Sequence, residues 1–170
     1  MQANAAPQVR TLLFTDMVDS THLVERLGDA PAADLFRAHD RIVLELQQRW
    51  RGRLIDRSDG LLLIFERPID GLGFALDYMR GLRDLGQQLQ LTQALQARAG
   101  LHVGEVLLWE NDAEAVRQGA KSLEVEGLAK PLAARLMNLA RPGQILLSAT
   151  AEPLAHRAAR ELGERGDTLV

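Results

Sequence analysis

The chain alternates short apolar runs with longer amphipathic stretches. Arg10–Asp16 centres on the run Thr11-Leu12-Leu13-Phe14 and ends in a carboxylate, which predicts a buried strand. Asp19 or Ser20 then caps a short helix through about Leu27, stopped by Gly28. Pro31 opens a longer helix whose apolar face is Leu35, Ile42, Val43, Leu46 and Trp50, at spacings of three, four and seven. Gly52–Asp56 and Gly60–Glu66 read as a β-hairpin. Pro68 starts another helix with Ile69, Leu72, Leu76, Met79 and Leu82 on one stripe, weakened by Gly71, Gly73 and Gly81. Gln96–Val106 contains a strand that extends toward Trp109, and the polar residues 110–120 read as a loop. Ser122–Glu126 is a short strand, and Leu132–Ala140 a helix ended by Pro142 and Gly143. Gln144–Ser148 is a strand, Ala149–Leu162 a helix, and Thr168–Val170 the start of another strand. Residues 1–9 lack periodicity and read as a flexible lead-in.

The order β-α-α-β-β-α-β, followed by further α/β elements, predicts an α+β fold with a ferredoxin-like βαββαβ core. In that sheet the first strand lies antiparallel beside the third. The end of the first strand then neighbours the hairpin turn, so Asp16 and Asp59 are expected to meet at one edge of the sheet.

Composition narrows the function classes. A chain of 170 residues is expected to form one domain, here spanning residues 10–170. A net charge of −3 provides no broad footprint for nucleic acid. The absence of cysteine removes disulfides, thiolate zinc sites and cysteine nucleophiles, and fits a reducing cytoplasm. No apolar run approaches the ~18 residues a membrane helix needs, so no membrane span is expected. Only two of the twenty basic residues are lysines, Lys121 and Lys130.

The two acidic turns carry the candidate chemistry. FTDMVDST (Phe14 to Thr21) and DRSDG (Asp56 to Gly60) put carboxylates at a strand end and in a hairpin turn. Paired oxygen donors on rigid elements suit two Mg²⁺ or Mn²⁺ ions, which leave open positions for phosphate oxygens. The backbone of Met17, Val18, Asp19, Ser20 and Thr21 precedes a helix N-terminus and can turn N–H groups toward phosphates. Aspartates in turns also commonly bond their own backbone, a purely structural alternative. His39 and His102 read as packed residues, and His22 and His156 as surface positions.

Four ordered segments share a resemblance: FTDMVDST, the Asp59-Gly60 hairpin, RAGLHVGEV (Arg98–Val106) and VEGLAKPLAARLMNLARPGQILLS (Val125–Ser148). Together they resemble the catalytic domain of class III nucleotidyl cyclases, the adenylate/guanylate cyclase family. The resemblance implies a homodimer with active sites at its interface. It also implies attack of a ribose 3′-hydroxyl on the α-phosphorus of ATP or GTP, giving a 3′,5′-cyclic nucleotide and pyrophosphate. By position, Asp16 and Asp59 match the metal aspartates and Met17–Thr21 the phosphate turn. Arg98 matches a β/γ-phosphate contact, and Arg135 the arginine that stabilises the transition-state phosphate from the partner protomer.

The match has departures. The family's ribose-orienting asparagine falls on Pro131, with Lys130 beside it. The adenine-reading lysine falls on Ile55, or on Asp56 with a one-residue deletion, and neither lysine of the chain is expected nearby. The second base-reading position is Glu124. The family continues into a further strand with a phosphate-binding lysine, so the resemblance implies a domain cut short at Val170 and any regulatory domain beyond it. These departures keep open a second expectation, a catalytically degenerate nucleotide-binding module that regulates through dimerisation.

Overall fold

Alternating residues of the central strands are buried on both faces, and this sets the architecture. Leu13, Leu63 and Phe65 lie in one apolar cluster, while their neighbours Leu12, Leu62 and Ile64 lie in another. A sheet apolar on both sides must be covered on both sides. In the computed structural model of the chain, which describes residues 6–58 and 60–162, the larger cluster includes Leu35, Val43 and Leu46, together with Leu72, Phe74, Tyr78 and Leu82. The smaller cluster includes Ala129 and Ala133. Asp59 and the strand expected at Thr168–Val170 lie outside the described residues.

The elements are β1 (Pro7–Met17), α1 (Ser20–Leu27), α2 (Asp29–Arg49), β2 (Arg53–Asp56), β3 (Leu61–Phe65), α3 (Pro68–Gln88), β4 (Ala97–Glu110), α4 (Ala113–Arg117), β5 (Leu123–Glu126), α5 (Ala129–Leu139), β6 (Ile145–Leu147) and α6 (Glu152–Leu162). The sheet order is β2-β3-β1-β4-β5. β1 runs antiparallel to both β3 and β4, and β6 adds parallel to β4 at Ala99–Leu101. The first four strands with α2 and α3 form the expected ferredoxin-like core, and α4 to α6 with β5 and β6 are additions to it.

Three expectations change. The lead-in is shorter than residues 1–9, because Pro7 to Val9 already pair with Leu107 to Glu105 on β4. Residues 110–120 are not all loop: Asp112 caps the short α4 through a 2.8 Å bond from the Ala115 N–H. Helix α5 begins at Ala129, three residues before the expected Leu132. Pro131 falls in its first turn, where a missing N–H costs no helical bond.

The glycines of α3 are contact points as well as weak helix formers. A Cβ at Gly73 would lie 2.4 Å from the Trp50 ring, and one at Gly71 2.9 Å from Leu101. Gly100 of β4 does the same for α5, because a Cβ there would meet the Met137 nitrogen at 2.5 Å and the Ala133 oxygen at 2.6 Å. The backbone of α5 therefore rests directly on the sheet, two residues from Arg98.

Candidate active site

Asp16 sits at the penultimate position of β1, in register with Arg98 on β4. Cross-strand neighbours on one face lie within side-chain reach, and Arg98 Nη2 donates to Asp16 Oδ2 at 3.2 Å. The Arg98 Nη1 also reaches the Asn138 carbonyl of α5 at 3.5 Å. The pair is partly open to solvent, with side chains 37% and 30% exposed. A carboxylate has two oxygens and about four lone-pair sites, and among the described residues none donates to Oδ1, which can accept a further ligand.

The hairpin turn closes on the same strand end. Gly60 has φ 92°, and a Cβ there would lie 2.2 Å from the Thr15 carbonyl oxygen and 3.4 Å from Asp16 Cα. The expected approach of the turn to Asp16 is therefore observed at Gly60, next in sequence to the undescribed Asp59. Asp56 starts the turn. Its Oδ1 accepts from both the N–H and the hydroxyl of Ser58 at 3.0 Å, and its Oδ2 from Lys121 Nζ at 3.1 Å. The Ser58 N–H holds the Asp56 carboxyl down at about 2, opposed by burial and helped by the Lys121 ammonium and the Ser58 hydroxyl.

The phosphate turn is narrower than the sequence implies. The Val18 N–H is taken by the Gln96 carbonyl at 2.8 Å, and Met17 is buried. Asp19 adopts a left-handed backbone (φ 55°) and makes no side-chain cap, contrary to the capping expectation. Its carbonyl accepts from Leu23. Ser20 and Thr21 open α1, where first-turn N–H groups have no helical acceptor, and no acidic side chain occupies that turn.

Arg135 is exposed on α5, in the helix that covers the Asp16–Arg98 pair. Lys130 and Pro131 occupy the first turn of that helix. Around Arg135 the surface is apolar: Leu128, Leu132 and Leu139 are 81%, 49% and 67% exposed, at spacings that put them on one stripe. The three leucines form one exposed apolar stripe along the helix beside Arg135.

The base-reading trio does not assemble within the chain. Ile55 is buried in the smaller core cluster with Leu123 and Val125. Glu124 lies between those two residues, so strand alternation turns it to the opposite face, where it pairs with Trp109. Asp56 alone remains at the rim, and the expectation that no lysine is near it is corrected by its ion pair with Lys121. Sequence reasoning missed that contact because 65 positions separate the two residues.

A second missed group lies behind the strand end. His39 is buried, as expected of a core residue, and its Nε2 lies 2.7 Å from the Tyr78 hydroxyl. Its Nδ1 lies 3.3 Å from Asp40, which is ion-paired with Arg57 of the hairpin turn. Burial lowers the His39 pKa, more than the neighbouring Asp40 raises it, and burial raises that of Tyr78. His102 is also buried as expected, 2.8 Å from Ser148 Oγ. Among the described residues no group of three or more His, Asp or Glu side chains could hold a metal, and no helix is long and apolar enough to cross a membrane.

No family model matches the chain. A stretch of 102 residues, 59% of this chain, is 30% identical to the serine/threonine-protein kinase pkn2 of Myxococcus xanthus, of which it spans only 12%. The adenylyl cyclase CyaB from P. aeruginosa superposes with a TM-score of 0.80 at 18% identity, over 94% of this chain and 84% of that one. The guanylyl cyclase Cya2 superposes at 0.77 with 20% identity, over 89% and 80%. The guanylate cyclase domain of RhGC from Catenaria anguillulae, solved in complex with GTP, superposes at 0.65 with 17% identity, over 88% and 84%. The chain has the fold of the adenylyl and guanylyl cyclase domains.

Proposed function

We propose that the chain is a nucleotidyl cyclase domain that converts ATP or GTP to a 3′,5′-cyclic nucleotide and pyrophosphate, for second-messenger signalling in the cytoplasm. The observation that carries the reading is the strand end itself. Asp16 stands half-open beside Arg98, with the hairpin turn pressed against its backbone at Gly60 and the Arg135 helix above.

The donors present fit a hard divalent cation. Asp16 offers a free carboxylate oxygen on a rigid strand, and Asp59 follows in the adjoining turn by sequence. When bound there, two Mg²⁺ or Mn²⁺ ions would neutralise the triphosphate and favour ionisation of the attacking hydroxyl. The residues of the chain hold and orient. Arg98 is poised to exchange Asp16 for a β- or γ-phosphate oxygen, and the first turn of α1 offers N–H groups to the same phosphates. Arg135 contributes a planar, permanently charged fork to the α-phosphate as charge builds there.

Arg135 is exposed and set in an apolar stripe, which supports its use across a homodimer interface. In that dimer Asp16 and Asp59 come from one protomer and Arg135 from its partner. The Asp56–Lys121 pair presents an acceptor and a donor side by side, a pattern that fits the edge of either purine.

A second reading is a regulatory module that binds nucleotide without turning it over. Pro131 favours it, since it supplies no side-chain donor where the family orients the ribose. The two separate in one experiment: incubation with ATP, GTP, CTP and UTP in Mn²⁺ and in Mg²⁺, with chromatography of products. Cyclic product supports the enzyme. Saturable nucleotide binding without product supports the regulator.

A further inference from the structure

The elements behind the site converge on a cavity of about 200 Å³ beneath the end of β1, lined by Thr15 and Asp16, by His39 and Tyr78, and by Asp40 and Arg57. Its polar groups form a line that crosses three elements. Tyr78 stands on α3, His39 and Asp40 on α2, and Arg57 in the turn between β2 and β3.

The direction of this line follows from its acceptor end. The Asp40 carboxylate can only accept, so the Nδ1 it faces at 3.3 Å carries the His39 proton. Neutral His39 then leaves Nε2 as an acceptor, and the Tyr78 hydroxyl donates to it at 2.7 Å. Tyr78 and His39 are 1% and 7% exposed, so the imidazole is locked by packing as well as by bonds. The Asp40 Oδ1 that faces the buried His39 is thus the same oxygen that pairs with Arg57.

We propose that Asp40 is a positioning residue, which straps Arg57 so that the β2–β3 turn stays pressed against the end of β1 at Asp16. The strap rests on the metal reading of that site given above. Without it the turn keeps its internal Asp56–Ser58 bonds and the Lys121 contact on one side, but loses its tie to the helices on the other. The β1–β3 pairing of Thr15 with Leu61 still holds the Gly60 end of the turn, so the strap acts on its Arg57 end.

The test uses the full chain as wild type, Asp40→Ala, Arg57→Ala, the double variant and Arg57→Lys. Amide exchange of the peptide covering 57–61 reports the turn directly, and titration with Mn²⁺ alone, followed by the EPR signal of the free ion, reports the site. The strap predicts faster exchange and about a two- to five-fold loss of Mn²⁺ affinity in each alanine variant, the range a half-exposed ion pair can supply. The double variant is no worse than either single one, and Arg57→Lys recovers most of the loss. Unchanged exchange in Asp40→Ala, or losses that add in the double variant, overturns the strap alone. A wild-type chain that binds no Mn²⁺ overturns the metal reading and the strap with it.

Discussion

At the scale of single residues, the site depends on a few carboxylates with assigned partners. Asp16→Ala is expected to abolish cyclic product while leaving the fold intact, since its side chain is partly exposed and, among the described residues, ion-paired with Arg98 alone. Circular dichroism beside the product assay checks both halves. Asp56 makes a pH prediction. Its carboxyl ordinarily titrates near 3.8 and is held down to about 2 in the fold. A depressed carboxylate stabilises the folded state above its unfolded pKa and loses that contribution as pH falls through its folded one. The contribution is therefore present at neutral pH and disappears between about pH 4 and pH 2. Lys121→Ala should move the Asp56 titration upward in a ¹³C NMR experiment, and shift the preference between ATP and GTP if the pair meets the base. Both acidic turns were legible as turns, but their metal role rested on the family resemblance, because aspartates in turns commonly bond their own backbone. The Lys121 contact was not legible, because it closes across the sheet.

At the scale of elements, helix α5 matters most. Its backbone lies on Gly100, so a methyl group there meets main-chain atoms that have no rotamer to yield. Gly100→Ala should cost about 1–3 kcal/mol by overpacking, read from urea unfolding. It should also lower turnover more than nucleotide affinity, because α5 carries Arg135. The apolar stripes of α2 and α3 were readable from their spacing, and the hairpin from its turn. The start of α5 was not, since Ala129-Lys130-Pro131 has no apolar period and a proline usually argues against helix. It is helical here because Pro131 falls where its missing N–H is not needed. The capping role read for Asp19 failed for a similar reason: its left-handed backbone sets the turn, and its side chain caps nothing.

At the scale of the whole molecule, the account requires two chains. The exposed Leu128, Leu132 and Leu139 flank Arg135, which the proposed dimer uses across its interface. Leu132→Glu should weaken dimerisation in analytical ultracentrifugation and make activity depend more steeply on protein concentration, with α5 still folded. The sheet order was legible because the ferredoxin-like pattern admits few topologies once the element order is known. The proposed half-site from a partner came from the family resemblance alone, because no periodicity in one chain records another. The most direct measurement mixes two silent proteins, Asp16→Ala and Arg135→Ala, and assays cyclic product beside wild type and each variant alone. The account predicts product from wild type and from the mixture, where a heterodimer restores one complete site, and none from either variant. Product from Asp16→Ala alone, or a silent mixture beside an active wild type, would contradict it.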